Sequence, residues 1–409
     1  MKKLCLLSLC VAAGLSLSAQ TSLVKEAEHM FKTNSADAKA ALTKIQPALT
    51  NPETADKAET WFTAAKIGIG GYDHLFATSQ LSPDGLSSDQ KKEAGYDMIQ
   101  AYDYLFKALP LDSVADAKGK IKAKYSKDIL KTMAQNYQSL KQAGIFLYEA
   151  QDYPGAVQAW EIYAQLPKNP VVAKSGLNAD PDSISGQILS YQALAMILGN
   201  QYEQAVSKVR EILGTGYKSM DLLRYGVAAA QSAKDSIATL EFAQIGYDNY
   251  GTEELSFIGQ LINNNLQNSE YDAAKTLVNA AINAQPQPEA NILAQLYDIL
   301  GTILERQEDI DGAFTNYKKS TEINPDFARG YYDMARMIYN KAIQLDEDAD
   351  EATRQSTINP QFLEAAALFE KAYDMDNQGM SDVPGILYRL FYRLEGEEGT
   401  NTKIWEARR

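Results

Sequence analysis

The chain has 409 residues, of which 53 are acidic and 39 basic, giving a formal net charge of −14. An acidic chain repels phosphate backbones, so the composition argues against nucleic acid as a partner. Two histidines and two cysteines leave little material for metal or nucleophilic chemistry, and serine hydrolase, metalloprotease and nucleotide-binding motifs are absent from the sequence. We therefore expect no enzyme activity, no cofactor and no metal site.

Residues 1–19 have the pattern of a secretory signal peptide. Two lysines precede an apolar run from Leu4 to Leu17, and the small residues Ser18 and Ala19 follow. The run is too short, and has the wrong flanks, for a transmembrane helix. We expect export to a bacterial periplasm with cleavage near Ala19, and no membrane span. Both cysteines lie within this segment, so the mature chain should form no disulfide.

Apolar residues recur at helical spacing along the rest of the chain, and no alternating pattern typical of strands is sustained. We predict helical repeats over 20–164 and a second array with a terminal capping helix over 187–409. The Pro- and Gly-containing segment 165–186 should be a long linker between them. Two further long loops are expected at 76–90 and 345–360, and the pattern leaves open whether these three segments are ordered.

One stretch shows the repeat clearly. Its first helix carries an apolar stripe at i, i+3, i+4 and i+7, a second stripe follows after a polar turn, and proline ends the unit. The stripe returns 34 positions later with the same alternation of large and small side chains. The positions are Tyr297, Leu300, Gly301 and Leu304, then Ala313, Tyr317, Ser320 and Pro325, and the returning stripe is Tyr331, Met334, Ala335 and Ile338.

This period and pattern resemble the tetratricopeptide repeat (TPR), and Gly144 and Ala156 show the same spacing of twelve as Gly301 and Ala313. The resemblance implies an all-α solenoid of stacked helical hairpins, an α-α superhelix. It also implies a concave groove, lined by the first helix of each hairpin, that binds a peptide or partner protein. Carried over to the well-matched units, the groove positions are Gln295, Asp298, Thr302, Glu305, Arg306, Arg329, Tyr332, Arg336, Tyr339, Asn340, Lys141, Tyr148 and Glu149.

Among these positions, Tyr332, Arg336 and Tyr339 share one helical face. We expect this face to hold a partner's carboxylate through Arg336. On that hypothesis, Arg336→Glu should weaken partner capture and leave the melting temperature unchanged.

The resulting interpretation is a non-enzymatic interaction or scaffolding module of the periplasm. Two alternatives remain open. One is a structural component of an envelope assembly or nutrient-uptake complex. The other is a glycan- or small-ligand-binding protein, for which 24 tyrosines and 3 tryptophans offer stacking surfaces. The sequence identifies neither the partner nor the oligomeric state.

Two short motifs can be explained by ordinary local structure as well as by a function. Asp-Ser-aliphatic tripeptides at 112–114, 182–184 and 235–237 match a bacterial O-glycosylation acceptor and equally match helix-cap chemistry. The acidic run 346–350 begins like a calcium loop, but Glu351 stands where an EF-hand needs glycine. We predict a hydrated acidic loop there.

Overall fold

The computed structural model describes residues 21–81, 85–113 and 123–409, and these residues form helices and no strands. The predicted all-α fold class is confirmed. The predicted signal peptide lies outside the described residues, as does part of the tripeptide at 112–114. Within the described part of the chain, no helix combines the length and apolar character that a membrane crossing requires.

The chain divides into two compact units, Met1–Ala238 and Thr239–Arg409. The helices of the first unit are α1 (21–33), α2 (Ala38–Thr50), α3 (Pro52–Ala55), α4 (Ala58–Leu81), α5 (Ser88–Leu111), α6 (Ser126–Gln135), α7 (Tyr137–Glu149), α8 (Tyr153–Gln165), α9 (Pro170–Ala173), α10 (Asp182–Leu198), α11 (Tyr202–Gly214) and α12 (Met220–Ser232). Helix α13 (Ser236–Tyr250) begins at the boundary. The second unit continues with α14 (Leu255–Gln267), α15 (Tyr271–Ile282), α16 (Ala290–Arg306), α17 (Ile310–Ile323), α18 (Ala328–Asp346), α19 (Glu351–Thr353), α20 (Asn359–Met375), α21 (Val383–Glu395) and α22 (Thr400–Glu406).

Small residues let the two helices of a hairpin approach each other closely. In the pair α16–α17, a Cβ atom on Gly301 would lie 2.7 Å from the ring of Tyr317 and 3.1 Å from the carbonyl oxygen of Ala313. In the pair α7–α8, a Cβ atom on Gly144 would overlap the indole of Trp160. Glycine is therefore required at both places by a facing aromatic ring, as the large–small alternation of the sequence indicates.

The hairpin α16–α17 has clear local boundaries. Glu308 turns the chain with a φ of +65°, and the carboxylate of Asp309 accepts a hydrogen bond of 3.0 Å from the amide of Gly312, which caps α17. Asn324 and Pro325 end the helix. The predicted stripes meet in one buried cluster, which confirms the register; its members include Leu300, Leu304, Ala313, Tyr317, Tyr331 and Met334.

The segment 165–186 packs against helices of the first unit. It contains a 3-10 turn at Leu166–Lys168 and the short helix α9. The carboxylate of Asp180 accepts hydrogen bonds from Gln138 (3.0 Å), Lys141 (3.0 Å) and the hydroxyl of Tyr163 (2.6 Å). These bonds hold the segment against α7 and α8, and its role as a linker between two arrays stays a prediction.

The described parts of the two other predicted loops are largely helical, and residues 82–84 of the first lie outside the described residues. Helix α4 extends to Leu81, and α5 begins after a capping box formed by Ser87 and Gln90. In the region 345–360, a π-helical turn at Arg354–Ile358 leads directly into α20. The prediction of a hydrated acidic loop at 346–350 is wrong for Asp346, which is 3% exposed and is ion-paired with Arg354 at 2.7 Å.

Candidate partner-binding surface

The candidate site lies on α16 and α18, the first helices of two neighbouring hairpins. Arg336 of α18 donates from Nη1 to Glu305 Oε1 (2.7 Å) and from Nη2 to Glu305 Oε2 (2.6 Å), and its Nε donates to Asp333 Oδ1 (3.1 Å). This is a bidentate fork between adjacent hairpins, the strongest common geometry for a guanidinium and a carboxylate. Hydrogen bonding to Arg336 lowers the pKa of Glu305, although partial burial opposes ionisation.

The fork engages Arg336 within this chain, and its role in holding a partner's carboxylate stays a prediction. Each of its three nitrogen atoms donates to a carboxylate of this chain. Its replacement by glutamate would leave Glu305 without its countercharge and the buried Asp333 with Arg329 alone, so an unchanged melting temperature is not expected. Arg336 connects two hairpins.

Arg329, in the first turn of α18, is a predicted groove cation that keeps donors free. Its Nε donates to Asp333 Oδ2 at 2.6 Å, and its side chain is 55% exposed. Its guanidinium lies over the ring of Tyr332, 5.1 Å from the ring centre. Among the described residues nothing accepts a hydrogen bond from its two terminal nitrogens, so a planar pair of donors faces outward.

Asp298 of α16 is a buried carboxyl group beside these charges. Burial raises its pKa to about 7, the charge of Asp333 adds to the rise, and Arg329 and Arg336 oppose it. Within the part of the chain that the structure describes, its Oδ1 has no hydrogen-bond partner. Asp298 therefore changes its protonation near neutral pH and can either donate or accept a hydrogen bond there.

The two predicted tyrosines, Tyr332 and Tyr339, already contact other side chains of the second unit. The hydroxyl of Tyr332 donates to Asp382 at 2.6 Å, and its ring meets that of Phe369 edge-on, with centres 5.5 Å apart. Tyr339 packs edge-on against Phe362 (5.7 Å) and Phe369 (6.3 Å). Both rings are half-buried, so neither offers a full face to a partner.

The remaining predicted positions of this surface fall into two groups. Thr302 is half-buried, and its hydroxyl lies 3.3 Å from the hydroxyl of Tyr317, which donates to Glu305 at 2.9 Å. The others are exposed: Gln295, Arg306 and Asn340. Asp333, which connects Arg329 and Arg336, was missed by the sequence prediction. Its position four after one arginine and three before the other, on one helix face, was the available signal.

The predicted positions of the first unit are engaged within that unit. Lys141 pairs with Asp180, and Glu149 pairs with Lys91 at 2.9 Å. Tyr148 packs between Tyr153 and Trp160, with ring centres 5.7 and 6.1 Å away. Their predicted role in partner binding stays a prediction.

Metal chemistry finds no support in this geometry. Across 21–81, 85–113 and 123–409, no group of three or more histidine, cysteine, aspartate or glutamate side chains is arranged to hold an ion.

Comparison with known proteins identifies the repeat. The family model described as the tetratricopeptide repeat matches residues 294–327, which span most of α16 and all of α17. No curated protein matches the chain significantly. Among solved structures, the chain is similar to the C-terminal part of a TPR repeat-containing protein from Cytophaga hutchinsonii, with 15% identity and a TM-score of 0.43, over 66% of this chain and 93% of that one.

Two other solved structures are similar at a comparable level. A tetratricopeptide repeat protein from Parabacteroides merdae has 10% identity and a TM-score of 0.38, over 61% of this chain and 97% of that one. MamA has 16% identity and a TM-score of 0.36, over 46% of this chain and 96% of that one.

Proposed function

We propose that this chain, in which residues 294–327 match the tetratricopeptide repeat, is a non-enzymatic interaction module that binds a partner protein on the shared face of α16 and α18. The observation that carries the proposal is the outward guanidinium of Arg329. Its Nε is held by Asp333 at 2.6 Å, while both terminal nitrogens remain available. A guanidinium fixed in this way recognises a carboxylate at little entropic cost, because its orientation is already set.

The surroundings of Arg329 favour a carboxylate on the partner. The Arg336–Glu305 fork neutralises the neighbouring charges, so a docking carboxylate meets little repulsion from Glu305. Asp298, with a pKa of about 7, is partly protonated at neutral pH, which lessens the negative charge below this surface. We infer that the partner presents an acidic side chain or a chain terminus to this surface.

The test is crosslinking and pulldown from the native envelope with the wild type, Arg329→Gln and a matched control. The control is Lys218→Gln, which neutralises an exposed cation of the first unit. We expect Arg329→Gln to lose the captured partner and Lys218→Gln to retain it, with both variants keeping the circular dichroism of the wild type. Equal yields from the two variants would mean that Arg329 is ordinary surface.

We further propose that the protein acts in the periplasm. The support is the sequence pattern of residues 1–19, in which an apolar run is followed by small residues. N-terminal sequencing of the native protein from a periplasmic extract should begin at Gln20. An intact Met1 in a cytoplasmic fraction would contradict this localisation.

A further inference from the structure

A groove of about 690 Å³ lies in the second unit, between the end of α16, the start of α17, the second half of α18 and the start of α20. Its apolar lining comes from Ile310, Phe314, Met337 and Ile338. The groove is therefore formed by three helices and the end of a fourth.

The groove exposes apolar surface that the hairpin core does not use. Ile310 is 53% exposed at the start of α17. The turns of α18 and α20 that border the groove also expose Leu345 (45%) and Leu363 (54%). Large aliphatic side chains at this level of exposure, beside a concave surface, are typical of an interaction site.

Acidic side chains outnumber basic ones in the lining of the groove. The lining contains Glu305, Asp311 and Glu364 against one basic side chain, Lys341. Asp311 and Glu364 are exposed, and no described residue forms an ion pair with either of them. The groove thus offers two unpaired carboxylates and one lysine around an apolar floor.

We propose that this groove binds an amphipathic helical segment of a partner protein, with aliphatic side chains on one face and lysine or arginine on its flanks. The aliphatic side chains would cover Ile310 and Met337, and the basic side chains would pair with Asp311 and Glu364. The lining residues of α18 extend from Met337 to Gln344, about 12 Å of helix, which accommodates about two turns of a partner helix. This site shares Glu305 with the surface described above but does not include Arg329, takes the opposite charge and does not depend on the function proposed above.

The first test measures binding of labelled synthetic peptides to the full chain by fluorescence anisotropy. The probe is a peptide of about 14 residues with leucine and lysine at helical spacing. One matched peptide replaces the lysines with glutamate, and another replaces the leucines with serine. We expect the leucine–lysine peptide to bind at least about tenfold tighter than either. Equal binding of the serine–lysine peptide would overturn the proposal, because charge alone would then explain the affinity.

The second test locates the peptide. Ile310→Ser and the double variant Asp311→Asn/Glu364→Gln change exposed side chains and should fold normally. Their matched controls in the first unit are Leu198→Ser and Glu53→Gln/Glu203→Gln, which also change exposed side chains.

We expect each groove variant to weaken binding of the leucine–lysine peptide by about tenfold, and each control to change its affinity by less than about twofold. Arg329→Gln should leave this binding unchanged, which separates the two proposals. If the groove variants behave like their controls, the peptide binds elsewhere and the groove is not its site.

Discussion

In both units, charged residues at predicted groove positions form ion pairs, but their partners come from different parts of the fold. In the second unit, Glu305 pairs with Arg336 of the next hairpin, so neighbouring repeats neutralise each other. In the first unit, Lys141 pairs with Asp180, which comes from the inserted segment between α8 and α10. Charges at two different groove positions are thus neutralised, one by the next repeat and the other by an insertion. In the second unit the pairing leaves a cation, Arg329, available on the same surface.

The insertion in the first unit is tightly held. Burial opposes ionisation of Asp180, but hydrogen bonds from Tyr163, Lys141 and Gln138 outweigh it and lower its pKa. Its oxygens are therefore engaged at neutral pH. The rings of Tyr137 and Tyr163 stack beneath it, with centres 4.6 Å apart. The segment covers this surface of α7. The repeat register alone therefore does not distinguish an open groove from one that an insertion covers.

The substitution with the largest expected effect removes the ion pair between two neighbouring repeats. Arg336→Glu places a third carboxylate beside Glu305 and Asp333, and Asp333 is 1% exposed. We expect the free energy of unfolding to fall by about 4 kcal/mol, as when a buried pair loses one partner. Denaturant unfolding measures it, with Lys218→Glu in the first unit as the control. A loss no larger than that of the control would mean that the fork is a weak surface pair.

The substitution with the next largest effect tests the close helix–helix approach at a glycine, which occurs in both units. Gly301→Leu should lower the free energy of unfolding by about 3 kcal/mol, because Tyr317 and the backbone of Ala313 leave no room for a side chain. Gly259→Leu is the matched control, since an added Cβ atom there meets nothing within 4 Å. Similar thermal melts for the two variants would show that the register of α16 on α17 is incorrect.

A pH-dependent effect should distinguish Asp298. Its pKa is about 7 in the folded chain against a usual 3.8, so between these values the folded state holds more protons and stability falls as pH rises. Asp298→Asn removes this loss. We expect the variant to gain about 2 kcal/mol over the wild type on going from about pH 5 to about pH 8. Parallel pH profiles of unfolding would mean that Asp298 titrates normally.

The smallest effect concerns the insertion. Asp180→Asn removes the charge that Lys141 pairs with and weakens the bond from Tyr163, so we expect a loss of about 1 kcal/mol. Limited proteolysis should then cleave within 169–181 faster than in the wild type. Asp182→Asn, which changes an exposed carboxylate in the same stretch, is the control. Equal cleavage of both variants would show that Asp180 does not anchor the segment.

The sequence predicted the parts of the fold that depend on neighbouring positions. The stripes around Gly301 and Tyr317 follow from helical periodicity, and the facing small and large residues follow from the repeat of 34. The helical character of 345–360 was missed because its acidic residues and Pro360 are typical of loops. The burial of Asp346 depends on Arg354 and Arg393, and Arg393 lies 47 positions away in sequence.

The candidate site was predicted as a set of positions and not as a set of contacts. The repeat register identified Glu305, Arg329 and Arg336, but it assigned the binding role to Arg336, because a register does not say which charges pair. Opposite charges 31 positions apart, close to one repeat length, were the signal for the fork between α16 and α18. The insertion that supplies Asp180 follows no period, so no register could have found it.

The Glu305–Arg336 fork also makes the joint between two hairpins responsive to salt. Elastic stiffness at such a joint comes from apolar packing, which dissolved ions hardly alter, and from charge pairing, which they screen. Both partners of the fork are partly exposed, with side-chain exposures of 25% and 31%. The two hairpins that carry α16 and α18 should therefore twist more easily against each other as ionic strength rises. Hairpins joined by apolar contacts alone should show no such change.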